Sequence, residues 1–182
     1  MAEKPILFNT AMVRAILDGR KTQTRRLVKP IKSHYVMDGK PTNNPPCNPG
    51  DILWVRETWQ RSFDFGGWQY EYRADYEDDD PLRLYGMYVT WRPSIHMPRE
   101  AARLFLRVTG VRCERLQDMT PEDCANDGGF EPEAVKVVGI APLFGTLWDS
   151  TLRKDAIKRW GWDANPWVFV ISFERIFDYE KM

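Results

Sequence analysis

The segment Leu104 to Arg115 constrains the fold more than any other. Leu104, Leu106 and Val108, with Gly110, fall on one face of a strand, and Phe105, Arg107, Thr109 and Val111 fall on the other. Both faces are partly apolar, so the strand needs cover on both sides, as in a small barrel packed by a helix. Trp167-Val168-Phe169-Val170-Ile171-Ser172-Phe173 reads as a second buried strand that closes the sheet. Two further alternating runs, Thr22 to Val28 and Ile52 to Thr58, supply more strands. Before the first of these, Ala11 to Asp18 places Met12, Val13, Ile16 and Leu17 on one helical face. Asn9 or Thr10 is its N-cap and Gly19 its terminating glycine. Thr120-Pro121-Glu122-Asp123 starts a short helix that Gly128-Gly129 stops, and Leu143 to Trp160 is helical but weakly amphipathic. The order of elements is α+β with a β majority.

The chain has 182 residues, which predicts one domain over residues 1–182 with an aromatic and acidic insertion at residues 60–100. Within that insertion the acidic run Asp75 to Asp80 reads as a solvated turn between strands Trp68–Arg73 and Tyr85–Val89. The segment Pro30 to Pro49, rich in proline, asparagine and glycine, disfavours regular structure. Lys+Arg and Asp+Glu both number 26, so no global field draws the chain to nucleic acid, and an anionic ligand must be held by a local basic patch. Arg20, Lys21, Arg25, Arg26, Lys29 and Lys32 form that patch. Cys47, Cys113 and Cys124 stand far apart without C-x-x-C spacing, which argues against a disulfide framework and a cysteine-rich zinc site and fits a reducing cytoplasm. No apolar run is long enough to span a membrane, and the charged opening does not read as a signal peptide.

Chemistry concentrates in Gly19-Arg20-Lys21-Thr22-Gln23-Thr24-Arg25-Arg26, where a helix end delivers a lysine, two threonines and three arginines. Strand alternation puts Thr22, Thr24 and Arg26 on one side and Gln23 and Arg25 on the other. A lysine desolvated beside arginines has a lowered pKa and can act as a base, and Thr24 three residues on can be the nucleophile it activates. The competing readings are a phosphate-binding lysine, a strand threonine, and a basic turn that complements the helix dipole.

The pattern Gly19-x-Lys21-x-x-Thr24-x-Arg26 resembles the signature of the ASCH superfamily, small domains with a PUA-like β-barrel, whose sixth position is most often glutamate. Threonine there is shared with the branch of compact ASCH proteins that act as N(4)-acetylcytidine amidohydrolases. In that branch the lysine and threonine belong to the catalytic set together with a downstream acid. Gly50-Asp51-x-Leu53-Trp54-Val55-Arg56-Glu57-Thr58-Trp59, Trp91-Arg92-Pro93-Ser94-Ile95-His96-Met97-Pro98 and Trp162-Asp163-Ala164-Asn165-Pro166-Trp167-Val168 resemble a larger, prophage-type version of the domain. The resemblance spans nearly the whole chain. It implies a PUA-like barrel with flanking helices and places Asp127 where the amidohydrolase branch has its catalytic glutamate. That acid is one methylene shorter here, and its other reading is an ordinary acid at a helix end.

Glu57 is a second acidic candidate as a partner for Lys21, against a routine pairing with Arg56. Arg20, Arg26, Trp59, Arg92, Ser94 and His96 are candidate substrate-binding residues, with Trp59 the tryptophan chosen to stack a base and the others mostly core. His96 is assigned to binding rather than catalysis. No metal and no cofactor is implied. The expected partner is RNA or a modified nucleoside, with amide hydrolysis at N(4)-acylated cytidine as the reaction. The alternatives are a non-catalytic nucleic-acid or protein interaction module of phage origin and a metal-independent ribonuclease.

Overall fold

The computed structural model describes residues 1–28, 36–37, 40–41, 44–64, 66–77, 90–177 and 179. In chain order the strands are β1 (Glu3–Leu7), β2 (Gln23–Leu27), β3 (Val36–Met37), β4 (Lys40–Pro41), β5 (Ile52–Arg56), β6 (Trp59–Asp64), β7 (Gly67–Tyr72), β8 (Phe105–Arg115) and β9 (Trp167–Ile176). The helices are α1 (Thr10–Leu17), α2 (Pro121–Gly128), α3 (Pro132–Val138), α4 (Thr146–Ser150) and α5 (Ile157–Trp160). No helix among the described residues is long and apolar enough to cross a membrane.

Five strands form one sheet in the order β1-β5-β8-β9-β2, with β1 parallel to β5 and the other neighbours antiparallel. This is a mixed α+β architecture, but the sheet is open: β1 and β2 are its edges, and no ladder joins them among the described residues. The closed barrel that the resemblance implies is therefore replaced by a seam. Across it the Arg26 Nη2 donates to the Leu7 carbonyl at 2.9 Å. An apolar chamber of about 560 Å³ lies there, walled by Pro5, Ile6 and Leu7 of β1 and by Leu27, Phe169 and Ile171.

Burial explains why β8 and β9 form the centre. Leu104, Leu106, Val108, Ile171 and Phe173 pack under α1 with Val13 and Ile16, while Val168 and Val170 on the opposite face of β9 pack against Leu116, Cys124, Phe144 and Trp148. Both faces of β9 are thus covered, as its continuous apolar run requires. In β8 the pairing with β9 slips between Val108 and Gly110, leaving Thr109 as the extra residue. The slip moves Val111 onto the face of Leu106 and Val108, where it packs against that core, correcting the strict alternation expected from sequence.

Other expectations also shift. β7 pairs with β6, while the expected strand Tyr85–Val89 lies outside the described residues together with Asp78, Asp79, Asp80, Lys29 and Lys32. Asp75 accepts an ion pair from Arg103 at 2.7 Å. Pro30 to Pro49, expected without regular structure, contains the two-residue strands β3 and β4, paired antiparallel. The helical stretch after Leu143 is broken into a π-turn at Ala141–Gly145, α4 and α5. All three cysteines are free.

Candidate functional site

Two caps bring the basic turn to an acid. The Asn9 side chain accepts from the Met12 amide at 2.9 Å and starts α1, and Gly19, at φ +76°, takes the left-handed conformation that redirects the chain after it. The Lys21 amide then donates to the Ala15 carbonyl and the Thr22 amide to the Asn126 carbonyl, both at 3.0 Å, so the turn is docked on the end of α2. On the other side Thr120 caps α2 reciprocally with Asp123, behind Pro121 at its first position. Asp127 thereby reaches the turn near the last residues of that helix.

Lys21 is buried, and its Nζ donates to Asp127 Oδ1 at 2.8 Å, to the Gln23 carbonyl at 2.9 Å and to the Asp127 carbonyl. Three acceptors take all three protons of an ammonium. Burial pushes the Lys21 amine below the usual lysine range; Asp127 opposes this, while Arg26 and Arg25 add to it. Arg25, equally buried, donates through Nη1 to Asp127 Oδ2 at 3.1 Å and through Nη2 to Glu114 at 2.7 Å, and ion-pairs with Asp123 at 3.3 Å. Asp123 also takes Gln23 Nε2 at 2.8 Å and Arg112 Nη2 at 2.8 Å. Burial raises the Asp123 carboxyl, but Gln23, the Thr120 amide, Arg112 and Arg25 outweigh it and hold it at about 2.

Over this network opens a cavity of about 480 Å³. β2 contributes Thr24, Arg25 and Arg26, and α2 contributes Asp127. Phe8, Asn9 and Met12 form a second wall at the β1–α1 junction, Thr58, Pro93 and Ser94 a third, and Phe144, Leu147 and Trp148 a fourth. The Phe8 ring lies 5.5 Å from Lys21 Nζ and 5.4 Å from Arg26 Cζ, joining the basic turn to the cavity wall. Among the described residues no group of three or more His, Cys, Asp or Glu side chains is arranged to hold a metal ion.

Of the residues singled out from sequence, Thr24, Arg26, Ser94 and Asp127 meet at this cavity, with Lys21 enclosed beside Asp127. Glu57 does not reach Lys21. It is buried and clamped by Arg103, whose Nε and Nη2 donate to its two oxygens at 2.9 and 3.0 Å. Burial raises the Glu57 carboxyl and Arg103 pulls it back. Arg20 turns away to Asp18 at 2.8 Å and to the Gly129 carbonyl. Trp59 packs in the core beneath the β6–β7 hairpin instead of walling the cavity, and the Arg92 guanidinium lies 5.3 Å from its ring. His96 is exposed at the end of the single turn Ser94–His96. Sequence reasoning did not single out Phe8, Phe144 or Trp148 as walls. Phe144 sits in the π-turn, an irregularity that side-chain periodicity does not reveal.

Neither the protein-family descriptions nor the curated proteins contain a match to this sequence. Two solved structures resemble the fold. One, described as the hypothetical protein PH0355, shares 15% identity at a TM-score of 0.39 over 97% of this chain and 100% of its own. The other, an ASCH domain from Lactobacillus crispatus JV V101, shares 12% identity at a TM-score of 0.42 over 96% of this chain and 79% of its own.

Proposed function

We propose that the chain is an ASCH-type protein that takes a modified nucleoside, free or within RNA, into the cavity above β2. The observation that carries this is that Thr24, Arg26 and Asp127 line one cavity together with the aromatic side chains Phe144 and Trp148. A nucleobase needs this combination: aromatic surface for its faces and a few fixed donors and acceptors for its edge. The volume of about 480 Å³ lies within the range of small-molecule sites.

Amide hydrolysis at N(4)-acylated cytidine is the finer reading, favoured by a threonine hydroxyl and an acid that line the same cavity, the acid bonded to Lys21. In it Thr24 attacks the acyl carbonyl while Lys21, oriented by Asp127, accepts the hydroxyl proton. The C–N bond then breaks as Lys21 returns that proton to the leaving cytosine amine, and water hydrolyses the acyl-threonine ester to free the acid and restore the hydroxyl. The Lys21 amine must first give up one of its three hydrogen bonds, because a neutral amine has only two protons to donate. The bond to the Gln23 carbonyl is the one that leaves the Asp127 pair intact. Without that release the same geometry is a binding site in which Lys21 only holds Asp127 in place.

The deciding experiment incubates wild type, Thr24→Val and Lys21→Ala with a panel of acylated and other modified nucleosides. Binding is read by calorimetry and product by chromatography. Product from wild type alone supports the hydrolase; binding without product leaves a reader of modified bases. Absence of both binding and product overturns the proposal.

A further inference from the structure

The β6–β7 hairpin displays one face that the cavity does not explain. Cross-strand pairs Trp59 with Tyr72, Arg61 with Tyr70 and Phe63 with Trp68 all lie on it, because residues two apart share a side of a strand. At its root Trp59 is buried, but at its tip Phe63 and Trp68 are 69% and 66% exposed, with ring centroids 5.3 Å apart. Arg61 lies 4.9 Å from the Trp68 ring and 5.8 Å from Tyr70. Arg92 lies 5.3 Å from Trp59, held there by the backbone bridge between the two residues. Neither Arg61 nor Arg92 has a carboxylate within ion-pair distance among the described residues, whereas Arg25, Arg103 and Arg112 all do. Near this face Glu100 accepts from the Tyr70 hydroxyl at 2.6 Å, and Glu57 and Asp75, close to Tyr72, are both held by Arg103.

The buried root of this hairpin adjoins the cavity in the chain. Thr58 and Pro93 line the cavity, and their chain neighbours Trp59 and Arg92 form the root of the strip. From Trp59 to Phe63 it extends about 13 Å at strand spacing. We infer that this face of the hairpin is a stacking platform for the single-stranded RNA that leads away from a nucleoside held in the cavity. The inference rests on the proposed function for its choice of RNA. The rings of Trp68 and Phe63 present faces to unpaired bases, and Arg61 and Arg92 supply cations for the phosphates between them. Such a strip tolerates many sequences, because every base has a face to stack. A neutral chain thus acquires a local track for short strands without a global basic field.

The test measures binding of fluorescein-labelled decauridylate by anisotropy for wild type, Trp68→Ala, Phe63→Ala and Arg61→Ala, with an RNA duplex of equal length as control. All three residues have exposed or solvent-facing side chains, and circular dichroism checks that each variant folds. The expected result is binding of the single strand in preference to the duplex. Trp68→Ala should weaken it roughly tenfold, and Arg61→Ala should lower the salt dependence by one phosphate contact. Wild-type affinity retained in Trp68→Ala and Phe63→Ala, or no binding of decauridylate by wild type, overturns the platform. So does a concentration-dependent self-association that the tip substitutions abolish, since it assigns the tip to protein contact. Free-nucleoside binding, measured separately with Arg26→Ala, keeps the two claims apart. Nucleoside binding lost in Arg26→Ala with the platform intact supports the cavity reading, nucleoside binding unchanged in that variant refutes it, and an intact cavity with a platform that makes no difference refutes only the present inference.

Discussion

Replacing Asp127 by asparagine tests the buried network most directly. The substitution keeps shape, but it removes the charge facing Lys21 at 2.8 Å and Arg25 at 3.1 Å, both of whose side chains are 0% exposed. The carboxamide oxygen still accepts a hydrogen bond; the amide nitrogen becomes a donor that meets a cation's own N–H groups. Breaking a buried ion pair from one side costs about 3–5 kcal/mol, because the remaining charge stays dry and unpaired. Two cations share this acid, so the upper part of that range is expected. Arg25 retains Glu114 and Asp123, so the loss falls mainly on Lys21. For a chain of this size the melting temperature should fall by about 6–20 °C. Urea unfolding of the wild type, Asp127→Asn, Lys21→Met and the double variant measures the effect. The double variant, which removes both charges, should recover part of the loss. A decrease below about 1 kcal/mol for Asp127→Asn, the size of an exposed pair, would refute the enclosed geometry.

Three further outcomes are expected. Thr24→Val should abolish any acyl-nucleoside hydrolysis and Thr24→Ser should retain part of it, with binding of both variants near wild type; chromatography and calorimetry separate rate from affinity. Acid should destabilise the fold between pH 4 and 2 in a urea series across pH. Asp51, held at about 2 by the Asn48 and Ala2 amides, and Asp123, also at about 2, bind fewer protons folded than unfolded in that window. Their stabilisation is complete above the ordinary aspartate value and is lost as pH falls through about 2; stability that stays flat across the window contradicts this. Gly129→Ala should cost about 2 kcal/mol in the same assay, because φ is +68° and the added carbon would sit 2.7 Å from the Ala15 side chain.

Local chemistry made several elements legible in the sequence. Asn9, Gly19 and the Thr120/Asp123 box mark helix ends through bonds made within four residues, and β8 and β9 show themselves by covered apolar faces. The extra residue at Thr109 was not legible, since a bulge needs its partner strand to be defined, and it reversed the side of Val111. The hairpin partner of β7 was missed because Trp59 to Asp64 mixes polar and aromatic residues without apolar alternation. At the site, Glu57 was attractive for its aromatic surroundings, yet Arg103, forty-six positions away, claims both of its oxygens. The nearness of Asp127 to Lys21 came from family resemblance; nothing local in either segment encodes a contact across 106 positions.

The seam between β1 and β2 governs how the interior first meets water. The other neighbours in the five-stranded sheet are zipped by backbone ladders, whereas these two edges touch through a guanidinium on a carbonyl. A side chain can swing aside while every ladder stays intact, so opening here costs far less than loosening β8 from β9. In deuterated solvent the edge amides of β1 and β2 therefore exchange early, and those of Leu106, Val108, Ile171 and Phe173 last. The same hinge of one arginine separates the apolar chamber from the wall of the cavity, since Arg26 lines both. On warming, the cavity wall should disorder while the sheet is still whole, so that loss of the proposed nucleoside binding precedes loss of circular dichroism.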